Sequence, residues 1–118
     1  MIKLLEGITI QEKLEQLAEE LEICKMNYGV ENFLITEKDG KTGIKKYLLY
    51  GIDLEITNGM VLFRDLLGII ESMDICMARL FLLDSITTIT QAEDGIDNMI
   101  SYKIKLGDKD YIKIDPVF

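Results

Sequence analysis

The 118-residue chain contains no histidine. Imidazole is the usual general base and the commonest zinc ligand, so its absence rules out Ser–His and Cys–His nucleophile pairs within one chain. Any metal site would rest on carboxylates, which points to calcium or magnesium. Cysteine is equally scarce. Cys24 and Cys76 lie far apart, which is not the paired pattern of a small secreted scaffold. Cys24 falls at helical spacing on an apolar face, so it reads as a buried thiol acting as a small hydrophobe. The single proline, Pro116, stands two residues from the end, and no repeat, linker or low-complexity tract appears. We therefore expect one domain over residues 1–118.

Long apolar runs are also missing. The greasiest stretch, Met60 to Leu83, is interrupted by Arg64, Asp65, Glu71, Asp74 and Arg79. Burying these in a bilayer would cost about 2.5–3.5 kcal/mol each. The opening Met1-Ile2-Lys3-Leu4-Leu5-Glu6 lacks the basic-then-apolar order of a signal peptide. These features predict a soluble, cytoplasmic protein with no membrane partner. Arginine is limited to Arg64 and Arg79 among thirteen basic residues, and isoleucine is abundant. That bias suits an AT-rich genome, such as that of a low-GC bacterium or its phage.

Apolar residues make up 48% and charged residues 29% of the chain, which is globular rather than disordered usage. The net charge of −8 is uneven: −4 over residues 1–35, +2 over 36–52, −7 over 53–97 and +1 over 98–118. An acidic surface repels phosphates, so direct nucleic-acid binding is not expected, and a basic protein partner is.

The clearest element is a helix opening at Thr9, with Glu12 three residues on as a capping box. Ile10, Leu14, Leu17, Leu21 and Cys24 form an apolar stripe, and Gly29 supplies a stop. Glu12, Glu15, Glu19, Glu20 and Glu22 lie mostly off that stripe. A first hairpin pairs Asn32–Thr36 with a return strand from Ile44 to Ile56, across a turn at residues 38–43. Asn58 reads as the N-cap of a second helix through Phe63, Leu66, Leu67, Ile70, Met73, Met77 and Leu80, ending as late as Leu83. A break near Asp74, or a strand from Arg79, is the alternative ending. Ile86–Thr90 is β-branched throughout and reads as a strand. A second hairpin pairs Ile100–Leu106 with a strand carrying Ile112 and Ile114. The predicted fold is α+β: a two-layer sandwich with two helices on one face of a mostly antiparallel sheet of about four to five strands.

No motif carries chemistry. Glu93, Asp94 and Asp97 surround Gly95 and Ile96, but the EF-hand pattern is absent and the segment reads as an acidic turn. Asp108 and Asp110 are explained by turn chemistry. Gly40-Lys41-Thr42 lacks the first glycine of a phosphate-binding loop. Asp53 and Glu55 share a strand face, and a carboxylate pair there is the one enzymatic or small-molecule reading. Met26, Met60, Met73, Met77 and Met99 read as core rather than as an adaptable binding surface. We expect no catalytic residue, cofactor or metal. The leading expectation is a non-enzymatic, inhibitor- or immunity-type protein, with Glu12, Glu15, Glu19, Glu20 and Glu22 meeting a basic partner. A structural or assembly subunit, including a homodimer, is the alternative.

Overall fold

The computed structural model describes residues 9–41, 43–64, 78–96 and 99–117. Helix α1 spans Ile10–Tyr28. Strands follow as β1 (Asn32–Asp39), β2 (Gly43–Tyr50), β3 (Asp53–Thr57), β4 (Met60–Arg64) and β5 (Ala78–Leu82). After a short 3-10 turn at Leu83–Ser85 come β6 (Ile86–Ala92), β7 (Ser101–Leu106) and β8 (Asp110–Val117).

Helix α1 begins as its sequence dictates. The Thr9 side chain accepts the Glu12 amide at 3.1 Å, satisfying one of the orphan donors of the first turn. Gly29 takes φ 66° and ends the helix, while the Val30 amide returns to the Cys24 carbonyl at 3.1 Å. Leu14, Leu17, Leu21 and Cys24 are fully covered. Each buried leucine contributes roughly 1.5–3 kcal/mol.

The strands form two antiparallel sheets, ordered β2-β1-β8-β7-β6 and β3-β4-β5. The expected second helix is therefore a correction. Among the described residues there is one α-helix, and Met60–Arg64 and Ala78–Leu82 are strands. The expected helical residues 65–77 lie outside the described residues. The local cause is Asn58-Gly59. Both residues take positive φ, 50° and 73°, and Thr57 pairs directly with Met60. That is the signature of a two-residue type I′ hairpin loop, for which Asn-Gly is the preferred sequence. Asn58 thus closes a hairpin rather than capping a helix. The apolar positions of Met60–Phe63 then alternate at period two, with Val61 and Phe63 buried.

The long return strand expected from Ile44 to Ile56 is also divided. Gly51, at φ 54°, turns the chain and donates to the Glu31 carbonyl at 2.7 Å. β2 stays in the five-stranded sheet, and β3 leaves for the three-stranded one. Such a corner lets one continuous segment serve two sheets.

The core is one cluster shared by all three elements. It joins the α1 leucines to Phe33, Ile35, Ile104, Ile112 and Ile114 of the large sheet and to Val61, Phe63 and Phe81 of the small one. Phe63 and Phe81 meet edge to face at 5.7 Å. α1 covers the inner face of the large sheet, and the Lys25 ammonium donates to the Ile52 carbonyl at 3.0 Å beside the sheet-to-sheet corner. The loop after β6 lies over one end of the outer face of the large sheet.

Candidate functional site

Opposite its buried stripe, α1 presents Glu12, Glu15, Glu19, Glu22 and Met26 to solvent. The spacing of three, four, three and four residues runs them down one face. Met26 is 79% exposed, and Ile23 and Tyr28 are also exposed at that end. The strip is acidic over its first three turns and apolar at its last. Lys25 pairs with Glu22.

Glu20 does not belong to that strip, which corrects its place among the expected partner contacts. It lies three residues after Leu17 and four before Cys24, on the buried side, and is 5% exposed. The Tyr102 hydroxyl, rising from β7, donates to Glu20 Oε2 at 3.1 Å. Burial, with Cys24 and Glu20 nearby, pushes the Tyr102 hydroxyl well above its usual range. Burial and then the Glu20 charge raise the Cys24 thiol to about 11. Cys24 is therefore a thiol at neutral pH and a poor nucleophile. Cys76 lies outside the described residues.

The outer face of the large sheet has the opposite sign. Strand register aligns Lys46, Thr36, Lys113, Lys103 and Thr90 in one row across all five strands. The next row is Ile44, Lys38, Tyr111, Lys105 and Thr88. The Lys103 ammonium sits 4.6 Å from the Tyr111 ring centre. Five lysines thus share a face on the far side of the sheet from α1. The chain-wide charge of −8 conceals this basic surface.

The loop after β6 folds over one end of this face. Asp94 fastens it: Ser101 Oγ bonds Asp94 Oδ1, and Lys113 Nζ reaches Asp94 Oδ1 at 3.6 Å and the Asp94 carbonyl at 3.4 Å. The Ser101 bond, first, and the lysines lower the Asp94 carboxyl below its usual value. The Gly95 amide donates to the Met99 carbonyl at 2.9 Å. Beneath the loop Asp115 is 5% exposed, although its strand alternation turns it away from the core. Burial raises the Asp115 carboxyl, Lys113 and Lys46 oppose that rise, and Asp94 adds to it. Loop and sheet flank an open cleft of about 380 Å³ that includes Thr36, Lys46, Asp94, Lys113 and Asp115 in its lining.

The other sequence candidates fall elsewhere. Asp53 and Glu55 sit on β3, opposite Arg64 and Leu62 in register. They are in the three-stranded sheet, away from Lys45 and Lys103 of the large one. Asp110 Oδ1 accepts the Gly40 amide at 2.9 Å and ties the tips of the two hairpins together. Among the described residues no group of three or more acidic or cysteine side chains is arranged to hold a metal ion. Among them, too, no helix is long and apolar enough to cross a membrane. Thr36, Lys46, Lys113 and Asp115 were not singled out in the sequence. Their signal is period-two alternation, which places them outward, but only the strand register brings them together.

Comparison with protein-family models, curated proteins and solved structures finds no match.

Proposed function

We propose that this is a non-enzymatic binding protein whose α1 docks into a basic groove on a partner protein. The observation that carries the reading is the exposed strip Glu12, Glu15, Glu19, Glu22 and Met26, four acids ending in an apolar anchor. An amphipathic helix lying in a groove uses this anatomy, with charges steering approach and a buried apolar side chain adding affinity. An inhibitor- or immunity-type role, blocking a basic surface on a toxin, nuclease or defence effector, fits that chemistry. Direct nucleic-acid binding by this strip is opposed by its charge.

Photo-cross-linking tests the placement. A benzophenone side chain at position 19 or 26 should capture the physiological partner, and one at position 38 or 105 on the opposite face should not. Capture from the sheet face alone would refute the reading.

The lysine rows favour one second reading. The acidic helix of one copy complements the basic sheet face of the next, and such a contact is heterologous and would build an open chain of subunits. Sedimentation at low salt should then show association that grows with concentration and dissolves at high salt.

A further inference from the structure

We propose that the cleft between the loop at residues 93–96 and the outer face of the large sheet is a binding site for a small zwitterion, with a phosphate or carboxylate on Lys46, Thr36 and Lys113 and an ammonium on Asp115. The site is independent of the helix strip, which lies on the other side of the sheet. Four features assign this chemistry.

The first is the anion cradle. Thr36 pairs with Lys46 on one side and Lys113 on the other, so its position lies midway between two lysines in register. Neighbouring strands lie about 4.8 Å apart, so the two lysine backbones stand roughly 9.6 Å apart, a span that two long side chains can close onto one tetrahedral or carboxylate group. Side chains on paired strands are held by the ladder rather than by a loop, which preorganises them.

The second is the orphan acceptor. Asp115 is 5% exposed, and among the described residues its buried Oδ1 has no hydrogen-bond partner. Lys113 Nζ stands 4.0 Å away, too far for a hydrogen bond, and is engaged by Asp94. Buried polar atoms are nearly always satisfied, and an exception calls for a group that completes it. An ammonium supplies both the missing donor and the charge a buried carboxylate needs.

The third is the size of the cleft. A volume of about 380 Å³ lies at the small end of the range for ligand sites. Leu34, Ile96 and Tyr111 furnish apolar wall between the polar ends. The fourth is Gly95. A Cβ there would stand 2.8 Å from the Met99 carbonyl and 3.1 Å from Asp115 Oδ1. The loop's own Met99 carbonyl therefore demands glycine at this position, and the absence of a side chain lets the loop lie close to the Asp115 carboxylate.

Among the described lining residues, the two lysines balance Asp94 and Asp115. A doubly charged ligand with one centre of each sign complements them. A simple anion would leave Asp115 unanswered, and a simple cation would leave Lys46 unanswered.

The test is an amide-resolved NMR titration of the full chain with phosphoethanolamine, inorganic phosphate and ethanolamine as probes. Phosphoethanolamine should shift the amides of Thr36, Lys46, Gly95 and Asp115 at millimolar concentration, with phosphate weaker and ethanolamine weaker still. D115N should weaken phosphoethanolamine about tenfold or more while sparing phosphate. K46Q, at an exposed position that does not hold the loop, should weaken both. T36V provides a second probe of the anion cradle and should weaken both as well. No shift at these amides with any probe would overturn the proposal. So would equal binding of phosphate and phosphoethanolamine unaffected by D115N, or shifts confined to the other lysines of the sheet.

Discussion

Replacing Tyr102 with phenylalanine probes a place where the core admits a carboxylate. The Tyr102 ring is fully buried, and its hydroxyl donates to Glu20, itself 5% exposed. Y102F keeps the ring and removes only the hydroxyl that donates to the buried Glu20 carboxylate. A hydrogen bond to a charged acceptor is worth about 1.5–3 kcal/mol, so Y102F should lose that much. For a chain of this length the melting temperature should drop by roughly 3–5 °C per kcal/mol. Urea denaturation followed by circular dichroism gives the value directly, and an unchanged m-value would show that the unfolded reference is unaltered. Glu20→Leu combined with Y102F removes both sides of this hydrogen bond and should be less harmful than the two single changes added together, since neither half of the bond is left behind. A loss below about 0.5 kcal/mol for Y102F, together with strict additivity in the double mutant, would refute the reasoning, because those are the values of a contact that matters little.

Further outcomes follow from the loop and the core. Asp115 has a raised carboxyl in the folded chain, so the native state holds its proton more tightly than the unfolded state does. The stability this confers is present below the ordinary value of 3.8 and lost as pH rises through the folded value. Urea midpoints measured against pH should therefore show D115N, relative to the natural chain, gaining stability from acid toward neutral; a difference that does not vary with pH would contradict this. G95A must displace the Met99 carbonyl and should cost about 1–3 kcal/mol in the same assay, whereas a neutral result would mean the loop is not closed tightly between residues 95 and 99. In a Cys76→Ser background, Cys24 is buried with its thiol raised to about 11, so labelling by a thiol reagent at pH 8 should proceed no faster than the chain opens.

Some elements are legible from residues alone because local and tertiary preferences agree. Thr9, the leucine stripe and Gly29 specify α1 without reference to the rest of the chain. The β7–β8 hairpin is equally plain, since Ile104, Ile112 and Ile114 alternate inward around a Gly107 turn. The stretch from Asn58 is different. Asn-Gly serves both as a helix entry and as a type I′ loop, and Val61, Leu62 and Phe63 suit either period over so short a span. Pairing with β3 decides it, and that partner lies across the corner at Gly51. Glu20 was misplaced for a simpler reason. Its charge argued for solvent, while its spacing from Leu17 and Cys24 argued for the core, and the Tyr102 hydroxyl allowed spacing to win. The +2 of residues 36–52 and +1 of 98–118 hint at the five-lysine face, but its residues come from four strands and meet only through register.

The proposed docking of a partner protein uses the acidic strip of α1 rather than the lysine rows of the sheet behind it. Charge reversal on each side, measured against the cross-linked partner in purified form, tests it most directly. E12K/E15K/E19K/E22K should abolish binding, and K38E/K105E should leave it within about twofold, since rim charges on an uninvolved face change affinity little. Binding that survives reversal of the helix, or that disappears only when the sheet lysines are reversed, would contradict the account.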